Sequence, residues 1–366
     1  MNDPQISIIM PVFNVEENIY PTLKSILDQS LESIEVIIID DGSVDNTNKI
    51  LKRYLRFDSR IKLLETDAEG EAFAQNLGLQ KAKGKYIMFF KVGMLMSSNL
   101  LEYFLQILNT HKCGILTCDY FTITEKAFHN YSPIEPPLQA QEKLMQLDSN
   151  QYLENLSLES THDFIHTCVL WNKLIDKSLL TNFEFDTNKD LPNPFAIQKL
   201  LTSHIPIITS TQKLVATAPI DEYLEQICFS YNELDKIEFL QNLLAYFKKA
   251  NNTTALKNIA IKLLDLLYKI RLKLNNSRLD IYDLDEQKTA INHKFSSVRK
   301  FLKSRYPENQ AEYSDYFDKY KKILDLENYI ANHPKLYNPI PTLQELVYNE
   351  DEEYNEDDEK LKTDEL

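Results

Sequence analysis

Two rhythms of apolar and polar positions alternate along the first third of the chain. Ile6 to Met10 is a short β-branched run closed by Pro11, and Glu16 to Asp28 then sets Ile19, Leu23, Ile26 and Leu27 at helical spacing. The same alternation predicts strands over 34–39, 61–64, 86–90 and 114–118, and helices over 45–57, 71–83 and 98–110. Strands separated by single helices build right-handed βαβ units, so the pattern predicts an α/β fold with a mainly parallel sheet flanked by helices. Such sheets bind ligands beyond the carboxyl ends of their strands. The polar clusters Phe13-Asn14, Asp40-Asp41-Gly42-Ser43 and Lys91-Val92-Gly93 fall at those ends.

From Tyr131 to about Ser157 the periodicity fades, with Pro133, Pro136 and Pro137 marking an irregular connection. Asp163 to Trp171, with Phe164, Ile165 and Val169, reads as a half-buried strand. Beyond Asp221 the pattern is helical throughout, with candidate helices over 221–250, 254–274, 285–303, 311–331 and 342–348. Breaks fall at Asn251-Asn252, Asn275-Asn276, Pro307 and Pro334. The expected organisation is an α/β domain over 1–220, an all-α region over 221–346 and an acidic, disordered tail over 347–366.

Composition sharpens this division. All six glycines lie at or before Gly114, so the remainder cannot be a hairpin-rich sandwich or hold a second glycine-rich phosphate turn. An apolar fraction of 43% with 11% aromatic residues supplies an ordinary core. No run reaches the roughly 18 apolar residues of a membrane span, and Met1-Asn2-Asp3-Pro4 is not a secretory signal. Cys113, Cys118, Cys168 and Cys228 form no C-x-x-C pair, so reduced thiols and a cytoplasmic location are expected. The net charge of −15 is uneven: residues 221–346 are nearly neutral, whereas the last twenty carry 10 acidic and 2 basic side chains. No basic, aromatic-interleaved face dominates, which argues against a nucleic-acid partner.

Four segments carry a resemblance. They are Ser7 to Glu16 (SIIMPVFNVE), Glu35 to Thr47 (EVIIIDDGSVDNT), Ala74 to Gly78 followed by Ala82 to Phe90, and Trp171-Asn172-Lys173-Leu174. In this order and spacing the chain resembles the family 2 glycosyltransferases of the GT-A fold, which move a sugar from a nucleoside diphosphate to an acceptor. The resemblance implies that Asp41 holds the nucleobase, that Pro11, Phe13 and Glu16 line the nucleoside pocket, and that the donor is a nucleotide sugar, UDP-linked. On its own chemistry the Asp-Asp-Gly-Ser run also suits a helix start, with Ser43 as cap and Asp45 in the first turn.

The chain departs from the family at three places. The Asp-x-Asp that holds a divalent metal against the diphosphate is here Lys91-Val92-Gly93. No manganese or magnesium is therefore expected, and the Lys91 ammonium is the candidate substitute. Ala-Arg-Asn reads Ala74-Gln75-Asn76, which places Gln75 beside the nucleotide in place of a cation. The acidic pair expected to supply the general base survives at best as Asp190, flanked by Lys189. These changes leave two readings open: a metal-independent transferase acting on a glycan or lipid-linked acceptor, and an inactive relative serving as a binding or assembly partner.

Three further features have both bland and functional readings. His162 and His166 would share a metal only on a helix, and Trp171 suits the core better than a sugar platform. Lys294 to Arg305 carries five basic and no acidic side chains with apolar Phe295, Val298, Phe301 and Leu302. That segment is a candidate for peripheral contact with an anionic membrane; docking against the α/β half or the acidic tail is the alternative.

Overall fold

A computed structural model describes residues 3–134, 143–157, 161–189, 192–201, 205–217, 233–276 and 282–306. The elements in chain order are β1 (Ile6–Val12), α1 (Ile19–Leu27), β2 (Ile34–Asp40), α2 (Thr47–Phe57), β3 (Ile61–Glu65), α3 (Glu71–Lys81), β4 (Tyr86–Phe89) and β5 (Met94–Met96). Next come α4 (Leu100–Thr110), β6 (Ile115–Thr122), α5 (Glu125–His129), β7 (Leu144–Leu147), α6 (Ser149–Glu154) and α7 (Thr161–Cys168). Then follow β8 (Lys173–Asp176), α8 (Pro192–Leu200), β9 (Ile207–Thr217) and helices Glu233–Lys249, Thr253–Asn276 and Tyr282–Arg305.

The strands form one mixed sheet in the order β3-β2-β1-β4-β8-β6-β9-β5, with β7 beside β9. Its first half is parallel: Ile6 to Val12 pairs with Ile34 to Asp40, and Ile6 to Ile9 with Tyr86 to Phe89. β2 is buried at every position, as expected of a strand covered on both faces. Helix α3 packs closely on these strands because Gly78 lacks a side chain. A Cβ there would lie 2.4 Å from Ile9 Cγ2 and 3.0 Å from Ile39 Cδ1.

β8 runs antiparallel between β4 and β6, so its amino end, not its carboxyl end, lies at the ligand-binding edge. The expectation of a strand over Asp163–Trp171 is corrected here: the chain forms α7, and the strand begins only at Lys173. Lys173 explains the boundary. Its fully buried ammonium donates to the carbonyls of His166 (2.6 Å) and Val169 (2.5 Å) at the carboxyl end of α7, where a helix presents unsatisfied acceptors. The segment read as an irregular connection contains β7 and α6, the latter opened by a capping box between Asp148 and Gln151.

Two compact units divide the chain at Met1–Ala255 and Leu256–Leu366. The sequence reading draws a boundary at 220, within residues 218–232 that lie outside the described set. In the second unit Ile259, Leu263 and Leu267 of helix Thr253–Asn276 are buried, as are Phe295, Val298 and Leu302 of helix Tyr282–Arg305. Arg299, Lys300 and Lys303 are exposed. The helices expected over 311–331 and 342–348 and the tail lie outside the described residues.

Candidate functional site

The carboxyl ends of β1, β2 and β4 are adjacent, and their following loops are stitched together. Asn14 stands at φ 50°, a left-handed conformation that Asn tolerates better than most residues. This lets its N–H donate to Ser43 Oγ (3.0 Å) while its Oδ1 accepts from the Val44 N–H (2.9 Å). Asp45 accepts from the N–H groups of Glu16 (3.0 Å) and Thr47 (2.9 Å). Desolvation raises its pKa, but the hydrogen bonds from Thr47 and Glu16 outweigh that and hold the carboxyl below its usual value. Ser43 is therefore a tie between loops and not the cap of α2, whose first residue is Thr47.

The sequence-derived nucleoside residues gather at this edge. Pro11 lies in β1 opposite Ile39, and Phe13 just beyond it is 53% exposed. An aromatic face left in water at the mouth of a polar loop suits stacking on a planar base. Glu16 accepts from the Asn46 N–H (2.8 Å) and Nδ2 (2.7 Å), which holds its carboxylate across the two loops.

Asp41 is buried, and its carboxylate is already engaged. Oδ1 accepts from Thr66 Oγ1 (2.6 Å) and the Glu69 N–H (2.8 Å), and Oδ2 from the Gly70 N–H (2.7 Å). A carboxylate has about four acceptor sites, so about one remains for a ligand. Asp41 thus fixes the start of α3, a structural duty that the sequence motif alone does not reveal.

The first turn of α3 carries a second polar group. Glu71 Oε2 lies 3.4 Å from Lys91 Nζ, and Glu71 Oε1 accepts from Gln75 Nε2 (3.2 Å) and Asn193 Nδ2 (3.4 Å). Gln75 Nε2 also donates to Asn193 Oδ1 at 2.9 Å. Gln75 is 2% exposed, and its Oε1 has no hydrogen-bond partner among the described residues. Glu71, which sequence reasoning missed along with Asn193, links Gln75 to Lys91. The Glu71–Gln75 spacing of four on a helix was the available signal.

Lys91 to Met94 forms a turn closed by the Met94 N–H and the Lys91 carbonyl at 3.3 Å. Gly93 is its third residue, at φ 97°, where a type II turn needs a positive φ. An ammonium and a glycine offer no side-chain oxygen, so the side chains at 91 and 93 do not fit a divalent metal. Among the described residues no group of three or more His, Cys, Asp or Glu is placed to hold one. Asp190 lies outside the described residues.

His166 faces β6, its Nε2 3.1 Å from the Cys118 carbonyl. The side chain of His162 lies outside the described set. Trp171 is 2% exposed and meets Tyr120 edge to face at 5.3 Å, so it is a core residue.

Residues 7–180 match the glycosyl transferase family 2 profile. Relatives include an uncharacterised glycosyltransferase of Haemophilus influenzae, 44% identical over 103 residues, covering 28% of this chain and 41% of that protein. Glycosyltransferase GlyA of Streptococcus pneumoniae is 26% identical over 214 residues, covering 58% of this chain and 30% of that one. The chain spans about half or less of the length of these curated relatives. The solved structure of S. aureus TarS 1–349 covers 82% of this chain and 91% of its own at 16% identity, with a TM-score of 0.50, a likeness of fold. Residues 7–180 of this chain thus form a family 2 glycosyltransferase domain, and the α/β fold is of the GT-A type.

Proposed function

We propose that this chain binds a UDP-linked sugar and transfers the sugar to a glycan or lipid-linked acceptor without a divalent metal. The observation that carries the reading is the placement of Lys91 directly after β4, beside the β1 and β2 ends that bear Phe13 and Asp41. The nucleoside would stack on Phe13 and donate to the remaining acceptor site of Asp41. The diphosphate would then lie toward Lys91, whose ammonium offsets the charge that develops on the leaving group. Gln75 and Asn193 offer neutral amide groups to the same region. The general base belongs to the acceptor side, with Asp190 as the candidate.

Peripheral membrane contact through 294–305 is a further part of this reading, in a restricted form. Because Phe295, Val298 and Leu302 are buried in the protein, contact would rest on Arg299, Lys300 and Lys303 attracted to anionic headgroups and not on insertion. No helix among the described residues is long and apolar enough to cross a membrane.

The second reading, a nucleotide-binding relative without turnover, draws on the pairing of Lys91 with Glu71, which engages the cation that catalysis would need. A panel of UDP- and GDP-sugars assayed for transfer and hydrolysis separates the two. Turnover in the presence of EDTA that falls at least 100-fold in Lys91→Ala supports the transferase. No turnover with any donor, in a protein that still binds UDP, establishes the second reading.

A further inference from the structure

Resting on the reading of Lys91 as the diphosphate cation, we infer that Glu71 is the positioning residue that sets how tightly this site takes a diphosphate. Its carboxylate holds the Lys91 ammonium at 3.4 Å, with the two side chains 35% and 29% exposed. A pair of that length and partial exposure is weak and exchangeable. Incoming phosphate oxygens, carrying more charge and better acceptor geometry, would take Lys91 from it.

The remainder of the Glu71 environment makes this exchange possible without loss of structure. Oε1 is held separately by Gln75 Nε2 and Asn193 Nδ2, so the carboxylate keeps two donors when Oε2 gives up the lysine. The backbone before it is also fixed, since the Glu69 and Gly70 N–H groups are tied to Asp41. Glu71 therefore cannot retreat with the helix terminus, and a bound diphosphate would feel its negative charge at close range. Both effects have the same sign: the carboxylate opposes phosphate binding, directly by repulsion and indirectly by competing for Lys91. It confers two corresponding properties. It holds the lysine toward the start of α3 before the ligand arrives, and it makes product release easier by offering Lys91 a return partner. Asn193 belongs to the first turn of α8, so the same carboxylate links the nucleotide-side helix α3 to α8.

The test is titration of the full chain with UDP and with uridine, comparing wild type with Glu71→Gln, which keeps the acceptor for Gln75 and removes the charge. The expected result is UDP binding about fivefold tighter in E71Q at low salt, with the gain shrinking as ionic strength rises, and uridine affinity unchanged. UDP affinity that is unchanged or weaker in E71Q overturns the inference. If wild type binds no UDP but E71Q does, the carboxylate opposes binding as inferred. If neither binds, the inference falls together with the nucleotide reading. Should E71Q melt markedly lower than wild type, Glu71→Ala serves instead: it too removes the charge, so tighter UDP binding supports the inference and unaltered or weaker binding overturns it.

Discussion

Asp41 Oδ2 accepts the backbone N–H of Gly70 at 2.7 Å, so the residue that follows β2 also fixes the entry to α3. With the bonds from Thr66 and Glu69 it makes one carboxylate both an anchor and the candidate nucleobase ligand. Replacement by alanine leaves two backbone donors without their acceptor. The expected cost is about 1–3 kcal/mol of stability, together with loss of detectable UDP binding. Chemical denaturation with and without UDP measures both; a variant that is stable but still binds UDP as wild type does contradicts the dual role.

The close packing of α3 gives a second expectation. In Gly78→Ala the added methyl would stand 2.4 Å from Ile9 Cγ2, so α3 must move away from β1 and β2. A loss of about 1–3 kcal/mol is expected, read from the urea midpoint. Because α3 carries Glu71 and Gln75, UDP affinity should fall in the same variant.

Acid should weaken the opposite end of the sheet. Glu35 is buried, which raises its pKa, but hydrogen bonds from Lys62, Ser7 and the Lys83 N–H outweigh this and hold the carboxyl below its ordinary value of 4.5. A folded-state pKa below the unfolded one means that the stabilisation is complete above the unfolded value and is lost as pH falls through the folded one. Stability should therefore drop below about pH 4.5, by roughly 1–2 kcal/mol from this site. Glu35→Gln should flatten that part of the profile measured by denaturation from pH 7 to 3.

Restoring acids at the altered turn should not simply restore a metal site. Gly93 sits at φ 97°, where an aspartate is strained, so Gly93→Asp is expected to cost about 1–3 kcal/mol. Lys91→Asp with Gly93→Asp should lose metal-free UDP binding and melt below Lys91→Asp alone. Thermal melts of the three variants, with UDP titration of the double variant in EDTA, decide this.

The first half of the sheet was legible because its strands are short apolar runs each followed by a helix of clear period, and Ile34–Asp40 and Glu71–Lys81 fall within two residues of expectation. The second half of the sheet was not. β8 has only four residues, and its Lys173 looks exposed in sequence yet is buried because it caps α7. β9, with Thr209, Ser210, Thr211, Gln212 and Lys213 at its centre, lacks a clean alternation and gains its place by pairing with β6. At the candidate site, motifs singled out Phe13, Asp41, Gln75 and Lys91. They did not show that Asp41 is engaged by the α3 entry, or that Glu71 and Asn193 join Gln75 to Lys91, because all but the Glu71–Gln75 contact join residues 20 to 122 positions apart.

The most direct test of the central claim is titration with UDP in EDTA and again with excess manganese, using wild type and Lys91→Ala. Affinity in wild type should be the same with and without metal and should fall at least tenfold in K91A. Binding that requires manganese, or that is indifferent to the loss of Lys91, would contradict the account.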